Sequence, residues 1–351
     1  ELVKDWYLNS SNYKKLSKDE YAKMKEQFFG LHKKAQSPKL IQQEKSVKGH
    51  KFGVAVIWLK NKNWQYDGKK WIFKKKSWNE IKVRPLTGYS KHFYRKTFTL
   101  ACRSVNGLMR NKDKTKHYNC NSNRAHFSRV NDFNRKSNSY RDEHGDDSLG
   151  DPSWFIFDVK DFFNNMDRQE AIDGLKDDIK ATKEKYSLKS NKEIKYIGIP
   201  KVNGQAYHQN HVGCKQEQSD GMLRNIALPG KQRYIFTDTC YSASYDYLNL
   251  DDIPTIIEHD FEFAIFEVFG VQILQLKGAC QGSQNSPGIS PYWALLRERK
   301  LFESLTEQER DFPRLTNRFQ DDEFFLLYGK DPAFGKFTDE NLYKPFCTLE
   351  S

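Results

Sequence analysis

The chain has 351 residues, 37% of them hydrophobic, and its 58 Lys and Arg against 46 Asp and Glu give a formal net charge of +12. That length fits two or three ordinary domains, and the composition excludes a disordered chain. No stretch approaches the roughly 20 apolar residues of a membrane helix, no secretory pattern opens the chain, and the basic surplus points to a polyanionic partner, nucleic acid before an anionic membrane.

In chain order, residues 1–50 read as charged and helical, with SKDEYAKMKEQFFGLHKKAQ carrying apolar residues at helical spacing. FGVAVIWLKNKNWQYDGKKWIFKKK reads as short strands joined at Asp67-Gly68, a hairpin signal. Trp58, Trp64, Trp71 and Trp78 crowd this region. Cross-strand packing is their first reading, and a base-stacking surface among lysines the second. IKVRPLTGYSKHFYRKTFTLACRSV is strongly basic. Residues 106–150, rich in Asn, Ser, Arg, Asp and Gly, are predicted as a long irregular loop.

FIFDV is predicted as a buried strand, followed by a helix in MDRQEAIDGLKDDIKATKEKY with Ile172, Leu175 and Ile179 on one face. Residues 183–250 lack periodicity. DDIPTIIEHDFEFAIFEVFG reads as a helix capped by Asp252, with Pro254 in its first turn. VQILQLK reads as a short strand, and Ser286-Pro287 as the start of another helix. NRFQDDEFFLLYG reads as strand, tight turn and strand, and there are no internal repeats.

Six cysteines lie scattered with no CxxC pair, which argues for a reducing compartment rather than a disulfide framework. His208, His211 and Cys214 have ligand-like spacing, with Cys240 as the available fourth ligand. Cys102, His117, Cys120 and His126 make a weaker set. Solvated loop residues are the preferred reading, and zinc is disfavoured. Heavy use of Lys, Asn, Phe and Tyr hints at an AT-rich genome such as that of an organelle, a virus or a low-GC bacterium.

The chemistry concentrates in two acidic places. In FIFDVKDFFNNMDR, Asp158 ends a hydrophobic run, where an acid is costly unless a cation meets it. Asp321 and Asp322 sit between RF and FFLL, at the tip of the predicted hairpin. A lone DD is usually a solvated turn. If the two strands lie side by side, however, three carboxylates converge. Such an oxygen set suits Mg²⁺ and two-metal phosphoryl transfer.

The ordered set resembles the palm of reverse transcriptases. FIFDVKDFFNNMD is similar to their first palm motif, an Asp at a strand end followed by an aromatic pair. GACQGSQNSPGIS is similar to the second, G-x-x-Q-G followed by Ser-Pro, and RFQDDEFF to the third. The pattern is most similar to group II intron maturases, retron enzymes and their bacterial or organellar relatives, with VRPLTG resembling the fingers segment before the palm.

The resemblance implies an α+β fold: a right-hand polymerase palm, an antiparallel sheet with helices packed on one face, plus fingers. It divides the chain into a basic N-terminal extension with helices and a Trp-rich hairpin (1–80), a fingers-like region with the 106–150 loop (81–157), a palm (158–182 and 252–351) and an insertion within the palm (183–251). Telomerase also carries an insertion in that place. The chain ends soon after Asp322, so no thumb is visible; a second polypeptide or a ribonucleoprotein assembly would supply one, or the protein works without it, or it no longer polymerises.

The resemblance also implies residue roles. Asp158, Asp321 and Asp322 become the catalytic carboxylates and the ligands of two Mg²⁺ ions, with Mn²⁺ as a substitute. Phe163, five residues after Asp158, takes the place of an aromatic gate against the ribose 2′-hydroxyl. Core packing is the competing reading for Phe163 and the preferred one for Phe162. Gln281 and Gly282 would lie against the template and the incoming base pair, glycine permitting close approach. Arg84, with Lys82 and Arg95 as alternatives, would contact the triphosphate. The implied activity is RNA-directed DNA polymerisation, a nucleotidyl transfer. Its partners would be an RNA template, a nucleic-acid primer and dNTPs, with no membrane, in a mitochondrion or other organelle or in a bacterial cytoplasm. Two readings stay beside it. One is a polymerase-derived structural or RNA-binding subunit of a ribonucleoprotein such as an organellar ribosome. The other is an RNA-dependent RNA polymerase, against which Phe163 and Gln281-Gly282 argue.

Overall fold

A computed structural model describes residues 10–35, 52–59, 64–66, 69–73, 83–90, 92–112, 119–120, 123–159, 162–201, 214–219, 222–227, 234–240, 243–319, 322–338 and 347–349. The strands are β1 (Tyr13–Lys15), β2 (Gly53–Leu59), β3 (Trp64–Tyr66), β4 (Trp71–Phe73), β5 (Val83–Gly88), β6 (Pro152–Val159), β7 (Tyr196–Pro200), β8 (Cys214–Ser219), β9 (Met222–Ala227), β10 (Ile235–Thr237), β11 (Tyr245–Asn249), β12 (Ile265–Val268), β13 (Val271–Gln275), β14 (Leu315–Phe319), β15 (Asp322–Tyr328) and β16 (Cys347–Leu349). The helices are α1 (Lys18–Phe28), α2 (Leu31–Lys34), α3 (Arg95–Arg110), α4 (Asn123–His144), α5 (Arg168–Ser190), α6 (Asp252–Glu262), α7 (Ser286–Ser304), α8 (Glu307–Asp311) and α9 (Phe334–Thr338). Among the described residues no helix is long and apolar enough to cross a membrane. The fold is α+β. It divides into two compact units, residues 1–108 with 175–289 and residues 109–174 with 290–351. Residues 252–289, grouped above with 158–182, therefore fall in the first unit.

The first unit is built on a mixed five-stranded sheet in the order β1-β13-β12-β2-β5, parallel only between β12 and β2. Tyr89, Ala264, Phe266, Val268, Ile273 and Cys280 form its core. The expected helix in 252–270 is split. α6 ends at Glu262, and β12 pairs with β13 through a two-residue connection, Phe269-Gly270, in which both residues have positive φ. That is the geometry of the tight hairpin turn whose twist matches the strands. The hairpin takes Ile265, Phe266 and Val268 for sheet packing, so helical periodicity stops there. Asp252 does not cap α6 either. It is buried within the helix, and the preceding Asp251 pairs with Lys183 instead.

Ile172, Leu175 and Ile179 of α5 are buried, as their spacing predicts. His259 stacks on Phe28 at 5.1 Å, and burial, ahead of the Lys34 charge, pushes its pKa down to about 3, so it packs as a neutral ring. The aperiodic 183–250 segment holds a three-stranded antiparallel sheet, β10-β7-β11, with Ile197, Ile199 and Leu248 buried, and a β8–β9 hairpin. Its strands are too short for period-two alternation to stand out. The Trp-rich hairpin forms between β3 and β4 with Tyr66 opposite Trp71. Asp67, Gly68 and Trp78 lie outside the described residues, and Trp58 is paired in register with Arg84 of β5 rather than within that hairpin.

The second unit carries a four-stranded antiparallel sheet in the order β14-β15-β6-β16. In chain order its parts run β6, α7, β14, β15, α9, β16, the split β-α-β-β-α-β arrangement. On one face Phe155, Phe325 and Leu327 pack with Leu301 and Phe302 of α7, with Leu305 just after it, and with Phe334 and Phe337 of α9. On the other face Leu315, Leu326 and Tyr328 pack with Val130, Phe133 and Tyr140 of α4. Helices thus cover both faces, not one. α4 is a 22-residue helix inside the segment predicted as an irregular loop. Val130, Phe133, Ser137 and Tyr140 follow the 3–4 spacing of a helix. Asn and Ser between them lower intrinsic propensity, and burial against the sheet overrides it.

β6 is not a buried strand: Trp154 and Ile156 are each 64% exposed. Both sit on the face whose β14 and β15 residues pack against α4, opposite Leu326 and Phe324 in register.

Under the β14–β15 hairpin lies a buried charge cluster. Arg318, fully buried, ion-pairs with Glu298 of α7, donates to the Pro291 carbonyl at 3.2 Å and lies 3.9 Å from Glu323, its direct cross-strand partner. Burial, then repulsion from Glu298, raises the Glu323 pKa to about 8. A carboxyl with a raised folded pKa binds a proton that the unfolded chain releases near its ordinary value of 4.5. Its stabilising effect is complete below that value and is lost as pH rises towards 8. Glu323→Gln is therefore expected to match wild type near pH 4.5 and to exceed it in stability at pH 8, with the wild-type curve falling by up to about 1.4 kcal/mol per pH unit in between. Urea unfolding at several pH values measures this, and parallel curves for the two proteins would refute it.

Candidate functional site

The acidic site is set by strand register. β15 pairs with β6 from Tyr328↔Pro152 to Asp322↔Asp158, so Asp158 and Asp322 are direct cross-strand partners. Positions opposed in this way bring Cβ atoms to about 4.5–5.5 Å, and like charges there are destabilising. Asp322 is exposed. Phe319 faces it across the hairpin in register and is 59% exposed. Asp321 lies outside the described residues. Two acidic residues thus face each other in backbone register at the end of the sheet.

Phe162 and Phe163 follow β6 in a turn. Phe162 is buried 6.4 Å from the Trp293 ring, while Phe163 is half-buried and edge-on to Phe162 at 5.4 Å. Asp167 then accepts from the Glu170 N–H at 2.9 Å and starts α5. Glu170 fixes that start against α7, accepting from Trp293 Nε1 at 2.7 Å and pairing with Arg297 and Lys300.

Gln281 and Gly282 sit in the first unit, in the loop before α7. The Gln281 carbonyl accepts from the Thr87 N–H of β5 at 2.7 Å. Gly282 has φ +111°, and a Cβ on it would lie 2.2 Å from the Thr87 carbonyl oxygen. Glycine is required there twice over, for the left-handed backbone and for the close approach. Arg84 lies three positions before Thr87 in the same strand, so the structure joins the Arg84 strand to the Gln281–Gly282 loop. Lys82 lies outside the described residues, and Arg95 donates to the Ser90 carbonyl at 3.1 Å.

The register thus brings together Asp158 and Asp322, and the Thr87 bond brings together Gln281, Gly282 and the strand of Arg84. Sequence reasoning missed Thr87, Asp260, Arg318 and Glu298. Asp260 had a signal: it falls on the Ile253, Ile256, Ile257 face of α6, where an acid implies a buried partner. Among the described residues no group of three or more His, Cys, Asp or Glu could hold a metal. His208, His211 and His117 lie outside those residues, Cys240 is exposed, and His126 meets Asn317 at 3.1 Å.

No family model matches the sequence, and no curated protein matches it. Among solved structures, apo telomerase from Candida tropicalis is 14% identical with a TM-score of 0.44, over 74% of this chain and 38% of that one. Telomerase from Candida albicans in complex with the TWJ fragment of telomeric RNA is 13% identical with a TM-score of 0.44, over 97% of this chain and 47% of that one. The corresponding Candida tropicalis complex is 14% identical with a TM-score of 0.46, over 77% and 38%. The chain spans less than half the length of these telomerases.

Replacing Gly282 by alanine forces a side chain onto the Thr87 carbonyl in a strained backbone region. Gly282→Ala is expected to lower stability by about 1–3 kcal/mol, measured by thermal or urea unfolding. An unchanged midpoint would show that the loop does not hold this conformation.

Proposed function

We propose that the chain is a reverse-transcriptase-like nucleotidyltransferase that adds deoxynucleotides to a primer 3′-hydroxyl on an RNA template. The observation that carries the reading is the direct opposition of Asp158 and Asp322 at the open end of an antiparallel sheet. The oxygen-only chemistry of paired aspartates suits Mg²⁺, or Mn²⁺ in its place. Asp158 and Asp322, with Asp321 beside them in sequence, would hold the ions. Bound there, divalent cations would supply Lewis-acid stabilisation of the phosphoryl charge and lower the pKa of the attacking hydroxyl.

The chain's own residues set up the rest. β6 and β15 set the two acidic positions opposite each other in backbone register, and preorganised charge of this kind would need no reorganisation during the reaction. Phe163, half-buried after β6, would stand against the ribose 2′-position and exclude ribonucleotides. Gln281 and Gly282 would receive the template and incoming base pair, with Arg84 on the adjoining strand reaching the triphosphate. The +12 charge supplies the electrostatic attraction for the nucleic acid.

Primer extension with an RNA template, dNTPs and Mg²⁺ tests the reading. Incorporation is expected, falling by about 10³-fold or more in Asp322→Asn and Asp158→Asn. Phe163→Ala should raise ribonucleotide use relative to deoxynucleotide use. Incorporation unchanged in Asp322→Asn would overturn the mechanism. A folded wild type that binds RNA but never extends a primer would replace it with an RNA-binding subunit of a ribonucleoprotein.

Thermal unfolding gives an independent check. Mg²⁺ should raise the wild-type midpoint by linkage, whereas Asp322→Asn should lose that response. Without divalent cation the variant should be as stable as wild type or more so, by about 0.2–1 kcal/mol, because a like-charge opposition is gone. A lowered midpoint without cation would contradict the repulsion.

A further inference from the structure

A carboxylate on the apolar side of a helix needs donors, and what it selects shows its task. Asp260 of α6 is buried, and one of its oxygens, Oδ2, accepts from Ser283 Oγ at 2.6 Å and from Asn285 Nδ2 at 3.0 Å. Ser283 relays the hold, since its hydroxyl also accepts from the Asn285 N–H at 3.2 Å. The Ser283 N–H in turn donates to the Cys280 carbonyl at 2.9 Å, closing the turn that carries Gln281 and Gly282.

Two further attachments hold the same loop. Thr87 of β5 bonds the Gln281 carbonyl at 2.7 Å, and Thr99 of α3 reaches the Gln284 side chain at 3.3 Å. Each is a single bond, whereas Asp260 accepts two bonds from this loop. The first-turn N–H groups of Gly288 and Ile289 donate to the Asn285 carbonyl, each at 2.9 Å. The residues left uncovered are Gly282, which is exposed, and Gln281, which is half-exposed; among the described residues the Gln281 amide has no hydrogen-bond partner.

We propose that Asp260 is a positioning residue: through Ser283 and Asn285 it holds Gln281 and Gly282 at a fixed distance from β5, ready to receive a base pair. This rests on the nucleotidyltransferase reading. A loop so held presents Gln281 pre-organised, and its release acts on nucleotide binding and base selection more than on the chemical step.

Two substitutions test this. Asp260→Asn keeps one carbonyl oxygen able to accept both bonds, and Asp260→Ala keeps none. Asp260→Ala is expected to raise KM for the nucleotide about tenfold or more and to raise misincorporation, with kcat within about threefold of wild type. Asp260→Asn should stay within about threefold on every measure. Equal loss in both variants, or a fall in kcat with KM unchanged, overturns the proposal.

Amide hydrogen exchange over residues 279–285 reads the loop without activity. Exchange should accelerate by about tenfold or more in Asp260→Ala and not in Asp260→Asn, and unchanged exchange overturns the proposal. If Asp260→Ala does not fold, Ser283→Ala, which deletes one donor from the loop side, carries the same expectations. A wild type that incorporates nothing defeats the enzymatic reading alone, because the exchange result still decides whether Asp260 sets the loop.

Discussion

Everything distinctive about the second unit follows from one strand pairing. Register between β6 and β15 makes Asp158 and Asp322 direct partners, and the two-residue period then assigns every neighbour. Asp322 and Phe324 share one face. Glu323, Phe325 and Leu327 take the other, where α7 and α9 pack. A slip of one residue would bury Asp322 and expose Phe325. The hydrophobic pattern therefore protects the opposition of the two acids even though that opposition is unfavourable by itself.

The two faces of this hairpin handle charge differently. Beneath it, Arg318 sits fully buried with Glu298 and Glu323, and removing either kind of partner from such a cluster leaves an uncompensated charge. Raising the Glu323 pKa removes one negative charge from a cluster that has only one cation. At the end of the opposite face, Asp322 is exposed opposite an exposed Phe319. Glu323 is thus a buried acid within a charge cluster, whereas Asp322, the residue before it, is an exposed acid on the other face.

The first unit reaches the same rigidity with neutral groups and one carboxylate. Thr87, Thr99 and Asp260 approach the loop of Gln281 and Gly282 from a strand and two helices. Gly282 has no space for a side chain because β5 runs against it. The loop is thus held from one side, with Gly282 exposed on the other.

Much of this was legible in the sequence. The apolar face of α5, the start of α7, the β14–β15 hairpin and the acidic tips could all be read from local pattern, because each depends on residues close along the chain. The long helix α4 was hidden: its Asn and Ser content argues for a loop, and only packing of Phe133 and Tyr140 on the sheet decides otherwise. The division of 252–270 into α6 and β12 was hidden for a similar reason, since strand β13 must be present before Phe266 has a sheet to join. Composition determined a folded, basic chain, local pattern placed acids at two predicted strand ends, and the motif resemblance implied the α+β fold. Only the tertiary structure decided that those ends are partners, that Asp260 reaches the Gln281 loop and that Arg318 lies buried between two glutamates. Each of those facts joins residues distant in sequence, and no local periodicity records which distant partner a strand or a buried charge will find.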